Sequence, residues 1–234
     1  MKVLSDLETM DMLLNGYSIA RFGDGEIILM FEKQIMFQKY DELLSNFLKG
    51  ISSMRICHPK LLVGIPPLIC EQYSGYTQEC IKAWKYFNST KKRKYFMDNI
   101  VDKNAVYASS FITRVSEICD YEPIIDKFKI LWKGKKIVYL ISIENRSSFQ
   151  DKLDYLFSES IIKYIDIPHT NAWDNRDIIV KSVLEYDTDH LILCSCGPTA
   201  TVLAYILTIF GYQCIDLGHF VNLMNFRMDK EELS

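Results

Sequence analysis

The chain has 234 residues, of which 49% are apolar and 24% charged, and a net charge of −3. This suits one α/β domain over residues 1–234 with a full core and little disorder. The charge gives no global attraction for nucleic acid, which is therefore excluded as an expected partner.

In chain order, Ser5 and Glu8 form a capping box ahead of Leu7, Met10, Leu13 and Leu14, so a helix is expected there, with Gly16 as its stop. The apolar run Tyr17 to Ala20 predicts a strand ending near Phe22, followed by a glycine-flanked turn and a short helix. Leu44, Phe47, Leu48 and Ile51 predict a helix over 41–51. Leu61 to Ile65 is expected as a buried strand closed by Pro66-Pro67, and 76–100 as two helices broken near Asn88-Ser89-Thr90. The cluster Lys91 to Lys94 is expected as a solvated helix face.

Further strands are expected at 106–109, 137–141, 161–167, 191–194 and 214–217, with helices at 123–132, 149–157, 176–185 and 199–210. Strands and helices alternating at this spacing predict a single Rossmann-like α/β domain, its sheet mostly parallel with helices on both faces. Ligands of such sheets bind beyond the carboxyl ends of the strands, which selects the turns after Phe22, Ser109, Cys194 and Leu217. Seven cysteines without a repeating framework point to a reducing compartment and no disulfides, with Cys194 and Cys196 as small apolar residues. The N-terminus turns acidic too early for a signal peptide, and 201–210 is too short to span a bilayer, so a cytoplasmic protein is expected.

Arg21-Phe22-Gly23-Asp24-Gly25-Glu26 is the most informative segment. Asp24 and Glu26 can meet one divalent cation, Mg²⁺ or Mn²⁺, bound together with substrate phosphates. Gly23 and Gly25 allow close backbone approach, and Arg21 can fork onto a phosphate. Alternatively the segment only starts a helix, with Asp24 as N-cap and Glu26 in the first turn. The dinucleotide-binding fingerprint is broken by Ile28, and no Walker loop is present. Gly197-Pro198-Thr199, entering a helix from a strand, is a candidate phosphate cradle, with the Thr199 and Thr201 hydroxyls nearby, or else an ordinary strand-to-helix turn. His219 is a candidate cation ligand or base, or a turn residue. Ser110, in the turn after Ser109, is a candidate donor-binding residue, and Arg114 beyond it forks onto a diphosphate or a carboxylate, or else makes a surface salt bridge. Trp173 stacks on a ligand or packs in the core. His58 and His169 have weaker claims, and His190 has none.

Ser18 to Glu26, Phe37 to Tyr40, Ser110 to Arg114, Gly197-Pro198 and Gly211 to His219 together resemble, in order, the GT-D-type glycosyltransferases. This resemblance covers nearly the whole chain. It implies a UDP-sugar donor, typically UDP-glucose, and a metal held by an Asp-x-Glu motif that corresponds to Asp24 and Glu26. It also implies a glycan or glycopeptide acceptor, in extending glycans on serine-rich bacterial adhesins or other surface polymers. Other glycosyltransferases or a second copy of the chain are the protein partners such a reading allows. One stretch departs: Arg146 to Lys152 lacks the glycine-rich turn of the family. The residues also leave open a metal-dependent phosphohydrolase and a non-catalytic sugar-nucleotide-binding subunit of a transferase complex.

Overall fold

The protein is described by a computed structural model over residues 1–221; residues 222–234 of the expected domain lie outside the described residues. Its elements are β1 (Lys2–Val3), α1 (Asp6–Leu14), β2 (Ser18–Arg21), α2 (Asp24–Met30), α3 (Glu42–Ser52), β3 (Leu61–Ile65), α4 (Gln78–Asn88), α5 (Lys91–Tyr95) and β4 (Val106–Ser109). There follow α6 (Glu122–Trp132), β5 (Lys136–Ser142), α7 (Ile143–Ser148), α8 (Gln150–Leu156), β6 (Ile161–Ile167), α9 (Arg176–Val183), β7 (Leu191–Cys194), α10 (Pro198–Ile209) and β8 (Gln213–Asp216).

All eight strands join one sheet in the order β1-β4-β3-β2-β8-β7-β5-β6, and every pairing is parallel. Right-handed crossovers then put α1, α6, α7 and α8 on one face and α3, α9 and α10 on the other. The helix contacts agree: α1 packs on α6, while α10 packs on α3 and α9. The expected α/β class is therefore the observed one.

Central strands read as continuous apolar runs because both faces are covered; Leu191–Cys194 is buried throughout. α10 is buried on nearly every side because it crosses the middle of the sheet, against β2, β8 and β3. The Ser5–Glu8 capping box forms as expected. Asp41 caps α3 through the Leu44 N–H and also accepts the indole N–H of Trp173, each at 2.8 Å. Trp173 is thereby fixed in the core, 1% exposed, and is no stacking surface.

Two elements differ from expectation. β1 is too short to carry a periodic signal and exists because it pairs with β4. The stretch from Arg146, expected to matter as a missing glycine turn, is half of α7, capped by Ser142, and Arg146 pairs with Asp166 at 3.0 Å. Arg93 also departs from a solvated face: its guanidinium donates to the Ile69 carbonyl at 2.7 Å. All seven thiols are free, and among the described residues no helix is long and apolar enough to cross a membrane.

Candidate active site

Because every strand runs the same way, the turns after β2, β4, β7 and β8 open on one edge. They meet around a cavity of about 340 Å³ lined by Arg21, Gly23, Asp24, Gly25, Glu26, Phe37, Ser110, Arg114, Glu117, Gly197, Asp216, Gly218 and His219, among others. The fold thus brings the expected Arg21, Gly23, Asp24, Gly25, Glu26, Ser110, Arg114, Gly197 and His219 to one cavity. A second cavity of about 160 Å³ shares Phe37, Gly197, Gly218 and His219 and reaches Tyr139, His169 and Ser195 beyond the other half of the sheet.

The floor is an ion-paired clamp. Arg21 donates from Nε to the Asp216 carbonyl (2.5 Å), from Nη1 to the Ser110 carbonyl (2.9 Å) and from Nη2 to Asp216 Oδ1 (3.2 Å). Asp216 Oδ2 also accepts the Arg21 N–H at 3.2 Å and the Thr201 hydroxyl at 3.3 Å. The expected phosphate fork is therefore largely committed: three of the five guanidinium N–H groups hold the ends of β2, β4 and β8 together. Burial raises the Asp216 pKa, while Arg21 pulls against that shift. Gly218 has φ +52°, and a Cβ there would run into Arg21 Nη2, so the turn after β8 needs glycine.

Asp24 and Glu26 differ. The N-cap of α2 is Gly23, not Asp24. Glu26 bends back to accept the Gly23 N–H at 2.7 Å, satisfying a free donor at the start of the helix. Glu26 is half-buried and lines the cavity. Desolvation, reinforced by the charge of Asp216, lifts its pKa to about 7, against the pull of the Gly23 N–H. Asp24 stands on the rim with its side chain 61% exposed, 3.9 Å from Arg114 Nη2. Arg114 is held from the other side by Glu117 at 2.8 Å.

Among the described residues no group of three or more His, Cys, Asp and Glu side chains is placed to hold a metal ion. Two hard carboxylates on one cavity fit a cation that completes its shell with substrate phosphates, and not one caged by protein alone.

His219 sits where the two cavities meet, its ring edge-on to Phe37 at 6.3 Å. Desolvation, then the charges of Arg114 and Arg21, lower its pKa, so the ring is neutral at pH 7. Gly197, at φ +57°, leaves room for Phe37; a Cβ would lie 2.7 Å from that ring. Pro198 and Thr199 do not join the cradle. Both are buried by the first turn of α10, and neither lines either cavity. The Thr201 hydroxyl is likewise spent on the Arg21 carbonyl at 2.9 Å.

Sequence reasoning missed Glu117 and the pair Tyr139–Ser195, whose hydroxyls meet at 2.8 Å in the second cavity. No local pattern marks either; only the sheet order brings them to the edge. Of the weaker histidines, His169 lies in the second cavity, 3.3 Å from Ser142 Oγ, whereas His58 lines neither.

A family model described as "Glycosyltransferase GT-D fold" matches residues 19–232. The chain is 30% identical over 222 residues to "Probable glycosyl transferase Gly" of Streptococcus gordonii, covering 93% of this chain and 32% of that protein. It is 29% identical to "Glycosyltransferase GlyD" of Streptococcus pneumoniae serotype 4, covering 91% of this chain and 26% of that protein. It therefore spans about a third of one curated relative and about a quarter of the other. Among solved structures, one described as "The highly conserved domain of unknown function 1792 has a distinct glycosyltransferase fold" superposes with TM-score 0.86 at 32% identity, over 98% of this chain and 82% of that one. "A New Glycosyltransferase (DUF1792) from Streptococcus sanguinis" superposes with TM-score 0.83 at 31% identity, over 98% and 85%.

Proposed function

The chain belongs to the GT-D-fold glycosyltransferases, and from that premise we propose that it moves a hexose, glucose foremost, from a UDP-sugar to a glycan or glycoprotein acceptor in the synthesis of bacterial adhesin or cell-surface glycans. The observation that carries this reading is the meeting of four strand-end turns, with Asp24, Glu26, Arg114 and Gly197, around one cavity. Such a cavity suits a nucleoside diphosphate: Arg114 on its rim supplies a charge for the phosphates.

Transfer forms a bond from an acceptor hydroxyl oxygen to the anomeric carbon and breaks the bond from that carbon to the diphosphate, whose oxygen keeps the electron pair. Arg114 steadies the departing diphosphate by a charge already in place. His219, neutral and shared by both cavities, takes the proton of the acceptor hydroxyl on its free ring nitrogen. Mn²⁺ or Mg²⁺, held by Asp24 and Glu26, would neutralise charge on the diphosphate. The Arg21–Asp216 clamp fixes the floor against which these groups are aimed.

The test is release of UDP from UDP-glucose with Mn²⁺, with and without a serine-rich glycopeptide. Acceptor-dependent release that stops in excess chelator is expected. Equal release without acceptor would favour hydrolysis by water instead, and UDP binding with no release at all would favour a binding subunit.

A further inference from the structure

Beside the proposed donor cavity lies a wider hollow of about 890 Å³, between α4 and the turn Val115–Glu117. The two share Asp24, Arg114 and Glu117, so a molecule in one reaches the contents of the other. We propose that this hollow seats the terminal, uncharged sugar of the acceptor glycan; the inference rests on the transferase reading above.

Three features of the hollow select that occupant. Tyr86 presents its ring to solvent, 79% exposed, on a helix whose buried side is sealed by Trp84 and Phe111 packed edge to face at 5.8 Å. An exposed ring with a polar tip suits the C–H face of a pyranose and its hydroxyls together. The walls carry the carboxylates of Asp24, Glu79 and Glu117 against the single guanidinium of Arg114. They accept hydrogen bonds from sugar hydroxyls, and Glu79, which faces this hollow and not the donor cavity, adds a negative charge that disfavours a carboxylated sugar. Ala83, exposed and one helical turn from Glu79 and from Tyr86, leaves the gap into which a ring fits. The shared wall is fixed: Cys80 donates its thiol to Glu117 Oε2 at 3.0 Å, while Glu117 Oε1 holds Arg114.

The size agrees. Small-molecule sites occupy about 300–1,000 Å³, and this hollow lies toward the upper end, with room for more than one sugar ring.

The experiment uses the full chain and three probes observed by ligand-detected NMR: 4-nitrophenyl β-glucoside, 4-nitrophenyl N-acetyl-β-glucosaminide and a bare serine-rich peptide. Calorimetric titration of UDP runs in parallel. Ala83→Trp fills the gap at an exposed helical position, and Tyr86→Ala removes the stacking face. We expect the wild type to bind at least one glycoside, and each variant to weaken it by about tenfold or more, a loss on the scale of one aromatic contact. UDP affinity should stay within about twofold of wild type, a shift of under half a kcal/mol. No glycoside binding by the wild type, unchanged binding by both variants, or preference for the bare peptide would overturn the proposal. A wild type that binds no UDP would instead overturn the donor reading.

Discussion

Arg21 and Arg114 each face an aspartate across the same cavity, and the two pairs behave as different chemistry. Arg21 and Asp216 are 11% and 5% exposed, and the guanidinium also holds the Ser110 carbonyl. Arg114 and Asp24 are 32% and 61% exposed and stand 3.9 Å apart. The buried pair is already desolvated, so losing one partner strands the other charge. The rim pair still shares its charges with water, and Arg114 is held on its other side by Glu117 at 2.8 Å. A charged motif at a strand end is thus divided into a buried part that closes the sheet edge and a part that stays open to the cavity, and burial draws the line.

The sharpest way to break that division is to remove each arginine in turn. Arg21→Met leaves Asp216 buried without its partner and should cost about 3–5 kcal/mol. Arg114→Met should cost less than about 1 kcal/mol, the range of exposed pairs, yet weaken UDP binding by about tenfold or more. Urea midpoints and UDP titrations on both variants check this; equal stability losses would dissolve the contrast.

Gly218→Ala should have an intermediate effect. A left-handed backbone costs a residue with a Cβ about 1–2 kcal/mol, and here the Cβ also pushes against Arg21. Thermal melts should show a loss larger than for Arg114→Met and smaller than for Arg21→Met.

The smallest effect sharpens the place of Glu26, which lies between floor and rim. Its folded pKa of about 7 stands above the 4.5 of an ordinary glutamate. The native state therefore holds the proton more tightly than the unfolded chain. The stability this contributes is full below about pH 4.5 and is lost as pH rises through about 7. Glu26→Gln can still accept the Gly23 N–H but never ionises. Its melting temperature should match that of wild type near pH 5 and rise above it by pH 8. A difference that does not change with pH would show that the carboxyl is solvated.

Much of this architecture was legible in the sequence because parallel sheets announce themselves: short apolar runs alternating with helical ones fixed the fold class and the edge where turns open. Asp24, Arg114, Gly197 and His219 lie together on that edge, as expected, because the edge rule selects turns rather than patterns. Arg21 was misjudged as a free fork because its true partner, Asp216, lies nearly two hundred residues away in sequence. Thr199 was misjudged because whether a first-turn hydroxyl faces a ligand or the core depends on how α10 rolls against the sheet, which no spacing reveals. Glu117 follows a short irregular turn and carries no periodic signal at all.

The central claim is that the rim of this edge, Asp24 above all, holds the diphosphate of a nucleotide sugar together with a cation. Calorimetric titration of UDP into the wild type and Asp24→Asn, each with and without Mn²⁺, tests it most directly. The account predicts binding strengthened by Mn²⁺ in the wild type, and a melting temperature unchanged by the substitution. In Asp24→Asn it predicts affinity with Mn²⁺ lower by about tenfold or more, the scale of one charge-assisted contact. UDP bound by Asp24→Asn as tightly as by wild type, with the same response to Mn²⁺, would contradict it.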